Sequence, residues 1–332
     1  MTVQLCIRQA ICRTSLAIGA ALLVSAHTPV ALAEAWPART IVAIVPFGAG
    51  SASDLVPRVV LEQVSRQIGQ PIVVENRGGA GGTIGANTVA HAAADGYTML
   101  ATGALPTAHG LFAKLPYSTL DDFVPVIPLG VQPLVLVTAP SKGLKTLADL
   151  ITAAKAKPDS LTYASAGIGS ASHLAAERLR ISAGFTAQHV PFKGASEALT
   201  DVLTGRVDFQ FLPLAPALPL IKGGRLVALA VSSSRRASAL PQVPTTTEAG
   251  LTGSAYDFWV GLYLPAKTPP DIIAKLHDET AKALQMPSVR QRLAAMGVEP
   301  MPMSQEQFER YFRDDVDASV RLVKAANIHA QQ

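Results

Sequence analysis

Two short stretches carry residue types suited to one kind of chemistry, the capture of an anion without bond making. The first is Gly48-Ala-Gly-Ser-Ala-Ser-Asp54, and the second, 119 positions on, is Gly167-Ile-Gly-Ser-Ala-Ser-His173. Each follows an apolar run, Ile41 to Val45 and Leu161 to Ala164. Each opens a segment of helical character, Leu55 to Ile68 and Leu174 to Ile181. The first turn of a helix carries unpaired backbone N–H groups and the positive end of the macrodipole. Glycine lets the backbone approach a guest, and serine supplies hydroxyls and caps. Such a terminus favours carboxylate, phosphate or sulfate without an arginine.

The near-repetition predicts two lobes whose helix N-termini face each other across an anion. The plainer alternative is a pair of well-capped strand-to-helix turns. Asp54 either complements its own helix or turns toward the pocket, and His173 either packs within its first helical turn or meets the ligand. A third glycine-rich stretch, Gly78-Gly-Ala-Gly-Gly82-Thr83, follows the strand Pro71 to Val74. It is no P-loop, because no Gly-Lys-Ser/Thr follows. It is no dinucleotide fingerprint, because no third glycine falls in register, and the first loop fails likewise with Ser53. It reads as a second wall of the same pocket. Thr102-Gly103 ends the strand Tyr97 to Ala101. Ligands of open α/β sheets bind beyond the carboxyl ends of strands, and three successive strand ends here carry small polar or glycine residues.

The elements that must position these loops follow in chain order. Apolar runs at Leu134 to Thr138, Gln188 to Phe192, Val207 to Leu212 and Leu226 to Val231 read as strands, with helices between them. A crossover near Val131 to Pro133 and a return near Tyr256 assign 36–132 plus 257–332 to lobe one and 133–256 to lobe two. The strand Phe258 to Leu264 leads into a helical tail, with Thr268-Pro-Pro-Asp271 starting its first helix. Two crossing strands predict a hinge that closes around a ligand.

Met1 to Arg13 carries Arg8 and Arg13 and no acid, Ser15 to Val24 is an apolar run, and Ala31-Leu-Ala33 is a small-residue cleavage site. This is the pattern of a secretory leader over 1–33, with cleavage after 33 or 35. Cys6 and Cys12 both lie within it, so the mature chain would carry no thiol, disulfide or cysteine metal site. Basic and acidic residues then nearly balance, which gives no sign of a nucleic-acid partner. Aromatics make up only 5% of the chain, which disfavours a stacked sugar. No Gly-x-Ser-x-Gly elbow, His-Glu-x-x-His pair or paired carboxylates are present, so the sequence supplies no catalytic constellation, cofactor motif or metal set.

The chain resembles the Bug family of periplasmic solute receptors, the extracytoplasmic components of tripartite tricarboxylate transporters. The resemblance runs through Val45 to Asp54, Val74 to Gly85, Asp95-Gly-Tyr97, Ser165 to Ser170 with His173, Val190 to Gly194 and Gly205-Arg-Val-Asp208. It continues through Val243-Pro-Thr245, Glu248 to Leu251, Trp259-Val-Gly261 and Pro265. It implies an α/β, two-lobed Venus-flytrap fold of the type II periplasmic kind. It also implies a monomeric, non-enzymatic receptor for a small organic carboxylate, working with membrane permease subunits. By position, the ligand-binding residues are Phe47, Gly50, Ser51, Ser53, Asp54, Gly81, Gly82, Thr83, Thr102, Gly103, Ser165, Gly167, Gly169, Ser170, His173 and Asp208. Many members carry Gly-Gly where this chain has Gly50-Ser51, which adds a hydroxyl to the site. A sensing receptor with a signalling partner, or a secreted enzyme on the same scaffold, are the competing readings.

Overall fold

The computed structural model describes residues 36–192 and 194–328. The leader expected over 1–33 lies outside the described residues. From Arg39 onward the chain forms one compact unit, within which two five-stranded sheets build two lobes.

The first sheet is made from β1 (Ile41–Val45), β2 (Ile72–Asn76), β3 (Thr98–Thr102), β4 (Phe123–Gln132) and the late β10 (Phe258–Pro265), in the order β2-β1-β3-β10-β4. The second is made from β5 (Leu134–Thr138), β6 (Thr162–Ser165), β7 (Gln188–Pro191), β8 (Phe209–Pro213) and β9 (Val227–Val231), in the order β7-β6-β8-β5-β9. The two have the same pairing pattern. β1 runs parallel to β2 and β3, and β6 runs parallel to β7 and β8. β10 is antiparallel to β3 and β4, and β5 is antiparallel to β8 and β9. Only Pro133 separates β4 from β5, and β10 returns the chain to the first sheet.

The interleaved helices are α1 (Ala52–Ile68), α2 (Thr83–Ala90), α3 (Leu105–Leu111), α4 (Leu147–Ala156), α5 (Ala171–Ala183), α6 (Ala195–Leu203), α7 (Leu214–Lys222), α8 (Pro270–Gln285), α9 (Pro287–Ala295) and α10 (Gln305–Ala325). Alternation along β5 shows how the second sheet is covered on both faces. Leu134 and Leu136 enter a core with Tyr163, Leu179 and Phe209, while Val135 and Val137 enter another with Val202 and Leu212. A strand so placed reads as a continuous apolar run. The first lobe closes over Ile44, Leu100, Trp259, Tyr263 and the α10 residues Phe308, Phe312 and Val316, spaced one helical turn apart. Ser304 and Gln307 form a capping box that starts α10.

Two elements depart from the sequence reading. Thr102 to Thr107 reads as loop, yet α3 begins at Leu105 with Pro106 in its first turn. Leu120 to Pro125 also reads as loop, yet β4 begins at Phe123 and carries Pro125 and Pro128. β4 lies at the sheet edge, where a missing N–H breaks no inner ladder. Among the described residues no helix is long and apolar enough to cross a membrane.

Candidate functional site

β1 and β6 each lie between two parallel neighbours, at the point where the strand order turns back on itself. A crevice opens beyond the carboxyl end of such a strand, and the two Gly/Ser loops occupy these places. Their backbones match from the second glycine onward. Gly50 and Gly169 have φ of +79° and +75°, a left-handed conformation that favours glycine. Ser51 and Ser170 follow as extended N-caps, with φ/ψ of −69°/160° and −66°/159°. Ser51 N–H donates to Gly48 O (3.3 Å), and Ser170 N–H donates to Gly167 O (3.2 Å).

The fourth residue after each of these glycines locks its loop. Gly50 N–H donates to Asp54 Oδ2 at 2.8 Å, and Gly169 N–H donates to His173 Nδ1 at 3.0 Å. Asp54, buried to 1% exposure, also accepts from Arg58 Nε (2.9 Å) and Asn76 Nδ2 (2.8 Å). Asn76 at the end of β2 further donates to Phe47 O and accepts from Arg58, so two strand ends and α1 are tied together. Burial pushes the Asp54 carboxyl up, but its bonds from Arg58, Gly50 and Asn76 outweigh burial and hold it below the ordinary value.

This bonding engages four of the residues that the resemblance assigns to the ligand. The amides of Gly50 and Gly169 are directed at Asp54 and His173, and those two side chains are directed back into their own loops. Among the described residues the amides left without an acceptor in the chain include Ala49 and Ser53 in the first loop. Ile168 and Ser172 stand at the equivalent places in the second. The sequence points to the loops Phe47 to Asp54 and Ser165 to Ser170 as a whole, without saying which of their amides stay free. The shared spacing of four to Asp54 and His173 was the available clue.

Asp208 lies elsewhere. It precedes β8 and binds Thr162 N–H (2.7 Å), the Thr162 hydroxyl and Lys142 Nζ (2.7 Å). Thr162 opens β6, whereas the second loop follows its far end at Ser165. Asp208 therefore holds the amino end of the sheet and stands apart from the loop. Gly103 serves packing, since a methyl group there would lie 1.8 Å from Trp259 O on β10. Thr102 Oγ1 accepts from Ala104 N–H, and Thr83 Oγ1 donates to Ala80 O.

The remaining loop residues come together. A methyl group at Gly82 would lie 3.3 Å from the Phe47 ring, and one at Gly81 would lie 3.2 Å from the Phe112 ring. One at Gly169 would lie 2.5 Å from Leu111 Cδ1. The adjacent residues Leu111 and Phe112, at the end of α3, therefore stand between the glycine-rich wall of lobe one and the loop of lobe two. Leu111 also joins Leu174 of α5 with Leu322 and Val323 of α10 in an apolar cluster between the lobes.

Behind the second loop lies a stack of rings. His173 lies on His189 (4.0 Å between centroids, 9° between planes), His189 on Tyr163 (4.8 Å, 12°), and Tyr163 on Phe209 (5.7 Å). His189 Nε2 lies 2.7 Å from Ser165 Oγ, which donates to Gly167 O and accepts from Gly167 N–H. Ser170 Oγ caps His173 N–H, and Ser172 Oγ accepts from Ala166 N–H. The Ser51 hydroxyl is buried and has no partner among the described residues. Among those residues no group of three or more His, Cys, Asp or Glu is arranged to hold a metal.

Two sheets of one topology, each followed by a Gly/Ser loop at a helix start, are the architecture of a bilobal solute-binding protein. The chain belongs to the tripartite tricarboxylate transporter receptor family, whose model matches residues 56–328. It is 37% identical to the protein BugT of Bordetella pertussis over 295 residues, 88% of this chain and 90% of that protein. Among solved structures it resembles MatC from Rhodopseudomonas palustris with bound malate, at a TM-score of 0.75 and 33% identity, covering 87% of this chain and all of that one. It also resembles the R. palustris protein Rpa4515 with adipate, at a TM-score of 0.78 and 31% identity, covering 89% and 99%. Receptors of this family are periplasmic solute-binding proteins.

Proposed function

We propose that this protein captures a small organic carboxylate between lobes 36–132 plus 257–332 and 133–256. It then delivers that acid, unaltered, to the permease of a tripartite transporter. The observation that carries this reading is the matched pair of loops with unpaired amides at Ala49 and Ser53, and at Ile168 and Ser172, flanking Leu111 and Phe112. No arginine or lysine is required, because charge-assisted N–H bonds contribute about 1.5–3 kcal/mol each. MatC and Rpa4515, with malate and adipate, support the acid class. A leader over 1–33 would deliver the chain to the periplasm.

A thermal-shift screen of small organic acids tests the reading. A ligand at a hundred times its Kd stabilises the folded state by about 2.7 kcal/mol. Absence of a shift with every mono-, di- and tricarboxylate overturns the proposal. Ser170→Asp gives a sharper test. Aspartate is itself a good N-cap, so the helix start survives while a negative charge enters the second loop. Carboxylate binding is expected to vanish in calorimetry, and unaltered affinity removes that loop from the site.

A further inference from the structure

The two loops are held by groups of different chemistry, a carboxylate in lobe one and an imidazole in lobe two. We propose that His173 is the positioning residue of the second loop, and that protonating it undoes that loop's grip on the ligand in acid. The ligand part rests on the carboxylate-receptor reading; the loop movement stands without it.

A backbone N–H only donates, so His173 Nδ1 in the Gly169 bond is a lone-pair nitrogen. The ring is neutral, with its proton on Nε2. A second proton would set two N–H groups head to head across 3.0 Å. The bond would be lost, and with it the restraint on Gly169 at φ +75°. That turn aims the free amides of Ile168 and Ser172, so those amides are the ones displaced.

The surroundings oppose a charge on this ring. His189 of β7 is stacked on it, Tyr163 of β6 lies beyond, and Phe209 and Phe211 of β8 close that face of α5. From its own helix come Glu177 and Arg180, which pair with each other at 2.7 Å. On the α10 side, Asp315 interacts with Arg178. Burial, followed by the charge of His189, pushes His173 down to about 4, against an opposing pull from Glu177. Asp54 is held below the ordinary carboxylate value. The first loop is thus held by a group whose charged form the fold favours, and the second by one whose neutral form it favours.

His173→Asn tests the device, because Asn Oδ1 stands where Nδ1 stood and accepts from Gly169 without titrating. L-Malate and adipate serve as probes in calorimetry. With each protein referred to its own affinity at pH 7, the wild type is expected to lose about twofold more than His173→Asn at pH 4 and about tenfold more at pH 3. Protonation of the probe cancels in the ratio. Parallel loss of affinity in both proteins overturns the proposal. Nitrogen NMR of the wild type decides the loop movement without a ligand or a variant. The Gly169 amide should shift with the same midpoint as His173 Nδ1, and a Gly169 resonance indifferent to His173 overturns it. If neither acid binds at pH 7, an acid found in the thermal-shift screen takes their place; if that screen finds none, the receptor reading falls and the NMR result decides the loop device by itself.

Discussion

Asp54 stays charged while buried because every donor near it points at it: Gly50 N–H, Arg58 and Asn76. Asp54→Ala would leave the Gly50 N–H without an acceptor and take one bond each from Arg58 and Asn76, which keep their bond to each other, and removing one partner of a buried pair is costly. Arg58 is 41% exposed, so water recovers part of its loss, and the expected destabilisation is about 2 kcal/mol by urea unfolding. Because the folded carboxyl lies below its unfolded value, this stability is present above about pH 4 and disappears as pH falls through the folded value. His173 has the same sign from a different cause, burial of the ring rather than bonds to a charge. It is neutral in the fold down to about 4 and titrates near 6.5 when unfolded. Between those values the unfolded chain binds more protons, so stability falls as pH drops from 6.5 to 4. His173→Asn should flatten that part of the urea-midpoint profile, and an unchanged profile contradicts the assignment. Residue types were legible in the sequence at both places, but side-chain direction was not. Arg58 and Asn76 decide where Asp54 points, and Asn76 lies 22 positions away from it.

The two loops work only if the elements behind them fit, and glycines at backbone crossings set that fit. A Cβ at Gly103 would sit 1.8 Å from the carbonyl oxygen of Trp259, and one at Gly85 would sit 2.7 Å from Arg77 O and 2.8 Å from Pro46 Cβ. Carbonyls in paired strands do not yield as side-chain tips do. Gly103→Ala is therefore expected to cost about 3 kcal/mol or more by prising β3 from β10. Gly48→Ala is the control, because nothing lies within 4 Å of the added carbon; it should be within about 0.5 kcal/mol of wild type. Thermal melts of the two variants that coincide would refute this contrast. The doubled strand–loop–helix unit was legible because Gly, Ser and the apolar runs recur in the same order. The helix α3 was not, since seven residues with Pro106 give no helical period. With α3 unseen, Leu111 and Phe112 were missed at the crevice, and their position depends on the packing of α3 on α10.

At the scale of the molecule, the formal net charge is +4 over 332 residues, and the proposed site uses backbone dipoles rather than side-chain cations. Long-range steering is then weak, and the field that holds the acid acts only within the first helical turn. Association rates for a dicarboxylate should change less than about threefold between 0.01 and 0.15 M salt, where a steered encounter would fall steeply. Stopped-flow fluorescence can follow this if Trp259, buried beside Gly103 on β10, reports binding. Motion follows from connectivity. The chain passes from the first sheet to the second at Pro133 and returns by β10. The lobes also touch at Leu111 against Gly169, at Gly297 against Leu214, and where Ser238 N–H meets Glu299 (3.1 Å). These contacts lie between elements of separate sheets, so rotation about the crossings rearranges them without unpairing a strand. A saturating acid that bonds to amides of both loops favours the arrangement that brings them nearest, by its differential affinity for that state. Small-angle scattering should therefore show a smaller radius of gyration with ligand than without. Superimposable curves at saturation would mean that the acid binds one loop alone and that the crossings are not a hinge.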